Sequence, residues 1–236
     1  MNLPPALAPR IIAMLVAVLA GLAEVPAAQA QENECGTLET HYGPFDYRTD
    51  RKALPIVEKH HFTEAIELLI PDHNGPNVPG HLAYTLHAFP NHHRALYAII
   101  RYGEKMKSRT PPNLENSIDC YFERALRFRS DDTVARLIFA DYLIRTNRLT
   151  EAVTQIDFVR SIAGDNPLTQ YNMGLMYFQA GRFDSALAQA HIAMALGIAR
   201  DDLKKKLVAK GRWVEPPSAP ASAPTPAAAA AASSPP

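Results

Sequence analysis

The sequence predicts an all-α chain, built as an antiparallel helix-pair solenoid with an irregular N-terminal segment and a disordered C-terminal tail. Three observations carry that reading. Apolar residues recur with a period of about 3.6 residues through the middle of the chain, and strand-like alternation is scarce. The strings Asn147-Arg-Leu-Thr-Glu-Ala-Val153 and Gly181-Arg-Phe-Asp-Ser-Ala-Leu187 begin 34 residues apart. Helix start and stop residues punctuate the same stretch.

Taken in order, residues 1–30 read as a secretory signal. Arg10 supplies the positive charge, Ile11 to Ala23 is an unbroken apolar and small run, and Ala28-Gln29-Ala30 supplies small residues at a cleavage site before Gln31. The apolar run is short for a bilayer, which needs about 20 residues, so no stable membrane span is expected after cleavage. No Cys stands directly after the run, which argues against a lipid anchor. Residues 31–76 form an N-terminal extension with an irregular turn and short helices, and 77–214 form the helical repeat domain. The tail, 215–236, is almost entirely Pro, Ala and Ser; it has nothing large to bury and its prolines deny helix hydrogen bonds.

Helices are expected near 51–59, 62–70, 80–89, 92–107, 114–128, 133–146, 149–163, 167–180, 183–196 and 201–210. Thr63 with Glu64, Asn91 after Pro90, and Asp131-Asp132 before Thr133 are start signals. Asp165-Asn166-Pro167 places Pro at a first helical position. Asp201-Asp202 puts acid at the start of the last helix, and Lys204 to Lys206, Lys210 and Gly211 put base and a stop at its end. Trp213, just beyond, is expected to fold back onto the final helix pair.

Gly174, Tyr177, Gly181, Ala186 and Ala193 stand at small and aromatic packing positions. One period earlier stand Ala140, Leu143, Asn147, Ala152 and Val159, and earlier still Ile118, Phe122, Ala125 and Leu126 fit a second helix. On these residues the chain resembles the tetratricopeptide repeat superfamily, over about 113–200 and more loosely over 77–112. It departs from the pattern at Arg136 and Gln170 in the first helices and at Ile198 where a closing Pro is usual. Together Tyr42-Gly-Pro-Phe-Asp-Tyr-Arg48 and Tyr84-Thr-Leu-His-Ala-Phe-Pro-Asn-His-His-Arg-Ala-Leu96 resemble strings of small exported bacterial tetratricopeptide-like proteins without an established activity.

The resemblance implies that Ala152 and Ala186 mark close helix crossings and that helix pairs stack because one pair cannot bury its apolar face. It also implies that the first helix of each pair lines a concave face. Leu137, Asp141, Ile144 and Arg145 would point inward from one repeat, and Tyr171, Leu175, Phe178 and Gln179 from the next. Tyr and Arg beside aliphatics suit a protein or peptide partner. The expected role is an adaptor or assembly factor.

Charge and cysteine count narrow the classes. Lys+Arg and Asp+Glu number 24 each, which excludes a general polyanion binder, so no nucleic-acid partner is expected. Export, expected to be to the periplasm, places Cys35 and Cys120 in an oxidising space; a disulfide is the natural inference, with two free thiols as the alternative.

Seven of nine histidines lie between residues 60 and 93. Imidazole is a common ligand for zinc and copper. A His-rich metal- or haem-binding protein is therefore the competing class, with His60, His61, His87, His92 and His93 as its candidate ligands. No HExxH is present, and His87 and His92 straddle Pro90, so the primary expectation is no metal and no cofactor. No GxSxG, Gly-rich phosphate loop or SxxK is present either. Asp141 and Asp184 read as ordinary helix positions, and Asp46 as a partner of Arg48 or a turn cap. No catalytic residue is expected.

Overall fold

The computed structural model describes residues 34–70 and 77–216. The expected signal at 1–30, the tail beyond 216 and His73 lie outside the described residues. Among those residues all regular secondary structure is helical. The helices are α1 (Leu54–His61), α2 (Glu64–Glu67), α3 (Val78–Ala88), α4 (His93–Met106), α5 (Ile118–Phe128), α6 (Thr133–Arg145), α7 (Leu149–Ile162), α8 (Pro167–Gln179), α9 (Phe183–Ala195) and α10 (Asp202–Ala209).

Local chemistry sets most boundaries. Asp132 opens α6 by accepting from the Val134 and Ala135 N–H groups, and Asn166 opens α8 by accepting from Thr169. Such caps satisfy donors that the first turn leaves without partners. Asn147 (φ 59°) and Gly181 (φ 74°) both adopt the left-handed conformation, one residue before α7 and α9 reach their N-cap positions. Gly visits that region freely and Asn tolerates it better than most residues, so the 34-residue spacing repeats in backbone geometry as well as in letters.

Several boundaries differ from expectation, and α1 runs Leu54–His61 where 51–59 was expected. The predicted helix at 62–70 shrinks to α2, because Leu69 turns left-handed (φ 57°) and Ile70 N–H closes back onto the Ala65 carbonyl. The predicted start at 114 moves to 118, where the Ser117 hydroxyl accepts from Cys120 N–H. Asn91 does not open α4. His92 does, its ring Nδ1 accepting from Ala95 N–H, and Asn91 is used elsewhere. α3 begins two residues early at Val78, where the Asn77 side chain accepts from Gly80 N–H.

Helix α6 packs most extensively on α7, and α8 on α9. α6 also touches α4 on one side and α8 on the other, so α4, α6 and α8 form a row. Ala140, Ala152 and Ala186 are fully buried at these crossings. α10 closes the far end against α8 and α9, burying Leu203 and Leu207. Trp213 folds back as expected, edge-on to His191 at 5.1 Å with the Lys204 ammonium 4.7 Å from its ring centroid. Each buried side chain of Leu or Phe size is worth about 1.5–3 kcal/mol.

The near end is covered by α1 and α2. Phe62, Ile66 and Leu69 share one core with Leu82, Leu96, Phe122 and Tyr142. Cys35 and Cys120 are bonded, with Cα atoms 5.1 Å apart, which fastens the N-terminal segment to α5. Arg124 donates to the carbonyls of Cys35 and Thr37, and Arg127 to that of Gly36 at 2.6 Å. Among the described residues no helix is long and apolar enough to cross a membrane.

Candidate functional site

The structure brings the two distinctive strings of the sequence against each other. The turn at 42–48 lies along the junction between α3 and α4. Phe45 N–H donates to the Ala88 carbonyl at 2.8 Å, and its ring meets Phe89 at 5.4 Å. Tyr47 stands over His92 and meets His93 edge-on, with ring centroids 4.2 and 5.0 Å away.

Beneath these rings runs a buried polar network. Asp46 accepts from Arg48 at 2.8 Å and from Asn91 Nδ2 at 2.8 Å. Asn91 Nδ2 also donates to Asp132 at 2.8 Å, while its Oδ1 accepts from Tyr47 N–H. His93 Nε2 meets the Asp132 carboxylate at 2.9 Å. The Arg48 guanidinium holds the Asp46 carboxyl far below the usual carboxylate range, against the opposing effect of burial, and Asn91 and Arg129 add to it. Every member has partners, which is the condition for a buried polar cluster to hold a unique geometry. The expected pairing of Asp46 with Arg48 is present; the network is a tie between segments, and it offers no open position for a ligand.

The candidate metal ligands do not converge. His92 is fully buried, with Nε2 3.2 Å from Glu58 Oε1. His93 is engaged by Asp132, and His87 lies 3.4 Å from Glu115. His60 and His61 sit at the end of α1. Among the described residues no group of three or more His, Cys, Asp or Glu side chains is placed to hold a metal ion. The set His60, His61, His87, His92 and His93 is thus divided among separate packing and ion-pairing duties. His61 does have an imidazole partner, which the sequence reading left out: His81, with the two Nδ1 atoms 3.1 Å apart.

The row of α4, α6 and α8 carries the other candidates. Arg145 is half exposed and donates to Asp141 at 2.7 Å and Glu104 at 3.1 Å, and to the Tyr97 hydroxyl at 2.9 Å. Its guanidinium also lies 5.7 Å from the centre of the Tyr97 ring. Beside this cluster is a cleft of about 270 Å³, floored by Ile100, Gly103 and Ile118 and edged by Glu104, Lys107 and Arg145.

The eight predicted inward-facing residues divide. Asp141 and Arg145 meet, as stated. Ile144, Leu175 and Phe178 are half-buried, and Gln179 is exposed. Leu137 and Tyr171 are corrections: both are buried in the core and line no open face. Tyr171 is 2 % exposed because α10 lies over it, its hydroxyl 3.1 Å from the Asp202 carboxylate. Burial under α10 moves this phenol pKa up, with Asp202 adding to the shift. Tyr97 and Glu104 were missed. They are seven residues apart on α4, a spacing that puts them on one helix face, and this was the available signal.

No family model matches the chain, and neither a curated protein nor a solved structure matches it.

Proposed function

We propose that the chain is an exported, non-catalytic tetratricopeptide-like module that binds a protein or peptide on the row formed by α4, α6 and α8. The observation that carries this reading is the Tyr97–Glu104–Asp141–Arg145 cluster beside the cleft floored by Ile100 and Ile118. An exposed aromatic and an arginine around a small apolar depression are the groups that anchor protein interfaces. The 34-residue repetition of sequence and left-handed turns supports stacked repeats. The Cys35–Cys120 bond is compatible with export to an oxidising compartment such as the periplasm. An adaptor or assembly role fits a face with polar anchors around an apolar depression.

The test is site-specific photocrosslinking in the native envelope. A photoreactive residue at Tyr97 is expected to give a discrete adduct, and the same residue at exposed Thr154 on α7 is expected to give none. Identical adducts from both positions, or none from Tyr97, would remove the reading.

A further inference from the structure

We propose that His61 and His81 form a two-imidazole site for a late first-row transition-metal ion, Cu²⁺ in preference to Zn²⁺. The two Nδ1 atoms face each other 3.1 Å apart. Two imidazole nitrogens bound to one metal at about 2.05 Å, with an angle of about 100° between them, stand about 3.1 Å apart. The spacing is that of two nitrogens on one ion; in the free chain one ring donates its N–H to the other across it, and the ion would replace that proton, with the rings turning to converge on it.

The surroundings hold that geometry. His61 is the last residue of α1 and His81 lies in the first turn of α3. The Thr85 hydroxyl, fully buried between them, is 2.8 Å from the His81 carbonyl and 3.2 Å from the His61 carbonyl. It ties the two backbones at one point. The Tyr84 ring stacks on the His61 ring, with centroids 3.8 Å apart and planes 18° apart, which fixes the orientation of that imidazole. Partners beyond the ligands that set ring orientation are a regular part of metal sites.

Open space reaches the His61 side of the pair: His60, His61 and Tyr84 line a cavity of about 250 Å³ with Tyr42, Ile56 and Val57, and His81 stands outside its lining. Both imidazoles are partly exposed, so an ion can enter and keep solvent ligands in its remaining positions. Among the described residues no carboxylate lines this cavity, a lining that suits ions preferring nitrogen over Mg²⁺ and Ca²⁺. With the same two nitrogens offered, Cu²⁺ stands at the top of the divalent affinity order. The inference is independent of partner binding on α4, α6 and α8.

The experiment titrates the full chain with CuSO₄, read by calorimetry and by electron paramagnetic resonance, with ZnCl₂ as competitor. Saturable binding of one Cu²⁺ with imidazole nitrogen couplings is expected, weakened by at least tenfold in His81→Ala and unchanged in His191→Ala. His81→Gln keeps a polar group near His61 and guards against misfolding; with native circular dichroism it should lose affinity equally. Absence of saturable one-to-one binding, or equal affinity in the wild type and a folded His81 variant, would overturn the proposal.

Discussion

The Nε of Arg129 lies 2.7 Å from a carboxylate oxygen of Asp46, joining groups 83 residues apart. That carboxylate also takes Arg48 and Asn91, and it is 3 % exposed. Arg48 and Arg129 keep side-chain exposures of 31% and 41%, so losing the buried carboxylate charge between them is expected to cost about 1–3 kcal/mol, below the cost of breaking a fully buried pair. Asp46→Asn preserves shape and removes the charge. Urea denaturation is expected to show a loss of that order with helical content retained.

Acid should loosen the molecule through His92. Its Nδ1 accepts from Ala95 N–H, so in the neutral ring the proton resides on Nε2, which faces Glu58. Burial pushes this imidazole down to about 3, and the positive charges of Arg94 and His93 act in the same direction. Below about pH 6.5 the unfolded chain takes up a proton at this position that the folded chain refuses, so stability falls as pH falls, by about 1.4 kcal/mol per unit. The contribution is complete above the unfolded value. Asp46 adds to the loss only in stronger acid, as its carboxyl protonates in the unfolded chain first. Melting temperature against pH should slope between about pH 6.5 and pH 4, and His92→Gln should flatten that slope.

Reduction should matter as much as any core substitution. The bond between Cys35 and Cys120 spans 85 residues. Closing a loop of this length restricts the unfolded chain by about 4–5 kcal/mol in the chain-entropy picture. Cys35→Ser with Cys120→Ser is expected to lower stability by about 2–5 kcal/mol, and dithiothreitol should have no further effect on that variant.

Gly174 sits where α8 meets both α9 and α10. A Cβ there would stand 2.4 Å from Leu203 Cδ2 and 3.2 Å from Gln189 Cβ. Leu203 can turn, but only by leaving the space under α10. Gly174→Ala should cost about 1–3 kcal/mol in thermal or urea denaturation, despite its better helix propensity.

Tyr171 and Arg145 should separate stability from binding. Tyr171→Ala removes a core ring and is expected to cost about 3–5 kcal/mol. Arg145→Ala removes a half-exposed ion pair and should change stability by about 1 kcal/mol or less. Yet Arg145→Ala should abolish the adduct formed from position 97.

The helices from α6 to α9 were legible because their apolar period, caps and left-handed turns all agree locally. Ala152, Ala186 and the Asn147/Gly181 pair carry the same information in letters and in space. The N-terminal half was less legible for a physical reason: its contacts are long-range. Nothing local indicates that Asn91 will bridge Asp46 and Asp132 instead of opening α4. Nor does spacing reveal that His61 meets His81, twenty residues further along the chain. Tyr171 was misplaced because its helix face depends on where α10 comes to rest, and no periodicity within α8 encodes that. Arg136 and Gln170, which depart from the repeat pattern expected from the sequence, are only partly satisfied buried polar groups: Arg136 stacks on Phe158 at 3.8 Å and binds Gln155 while its Nε has no hydrogen-bond partner, and Gln170 donates to the Gly164 carbonyl while its Oε1 has none.

Stacked helix pairs present raw apolar ends, and such ends invite another copy to continue the stack. Here α1 and α2 occupy one end and α10 with Trp213 the other. The row is therefore of finite length by construction. Both ends of the row are covered by helices, and Tyr97 and Arg145 stay exposed on its long side.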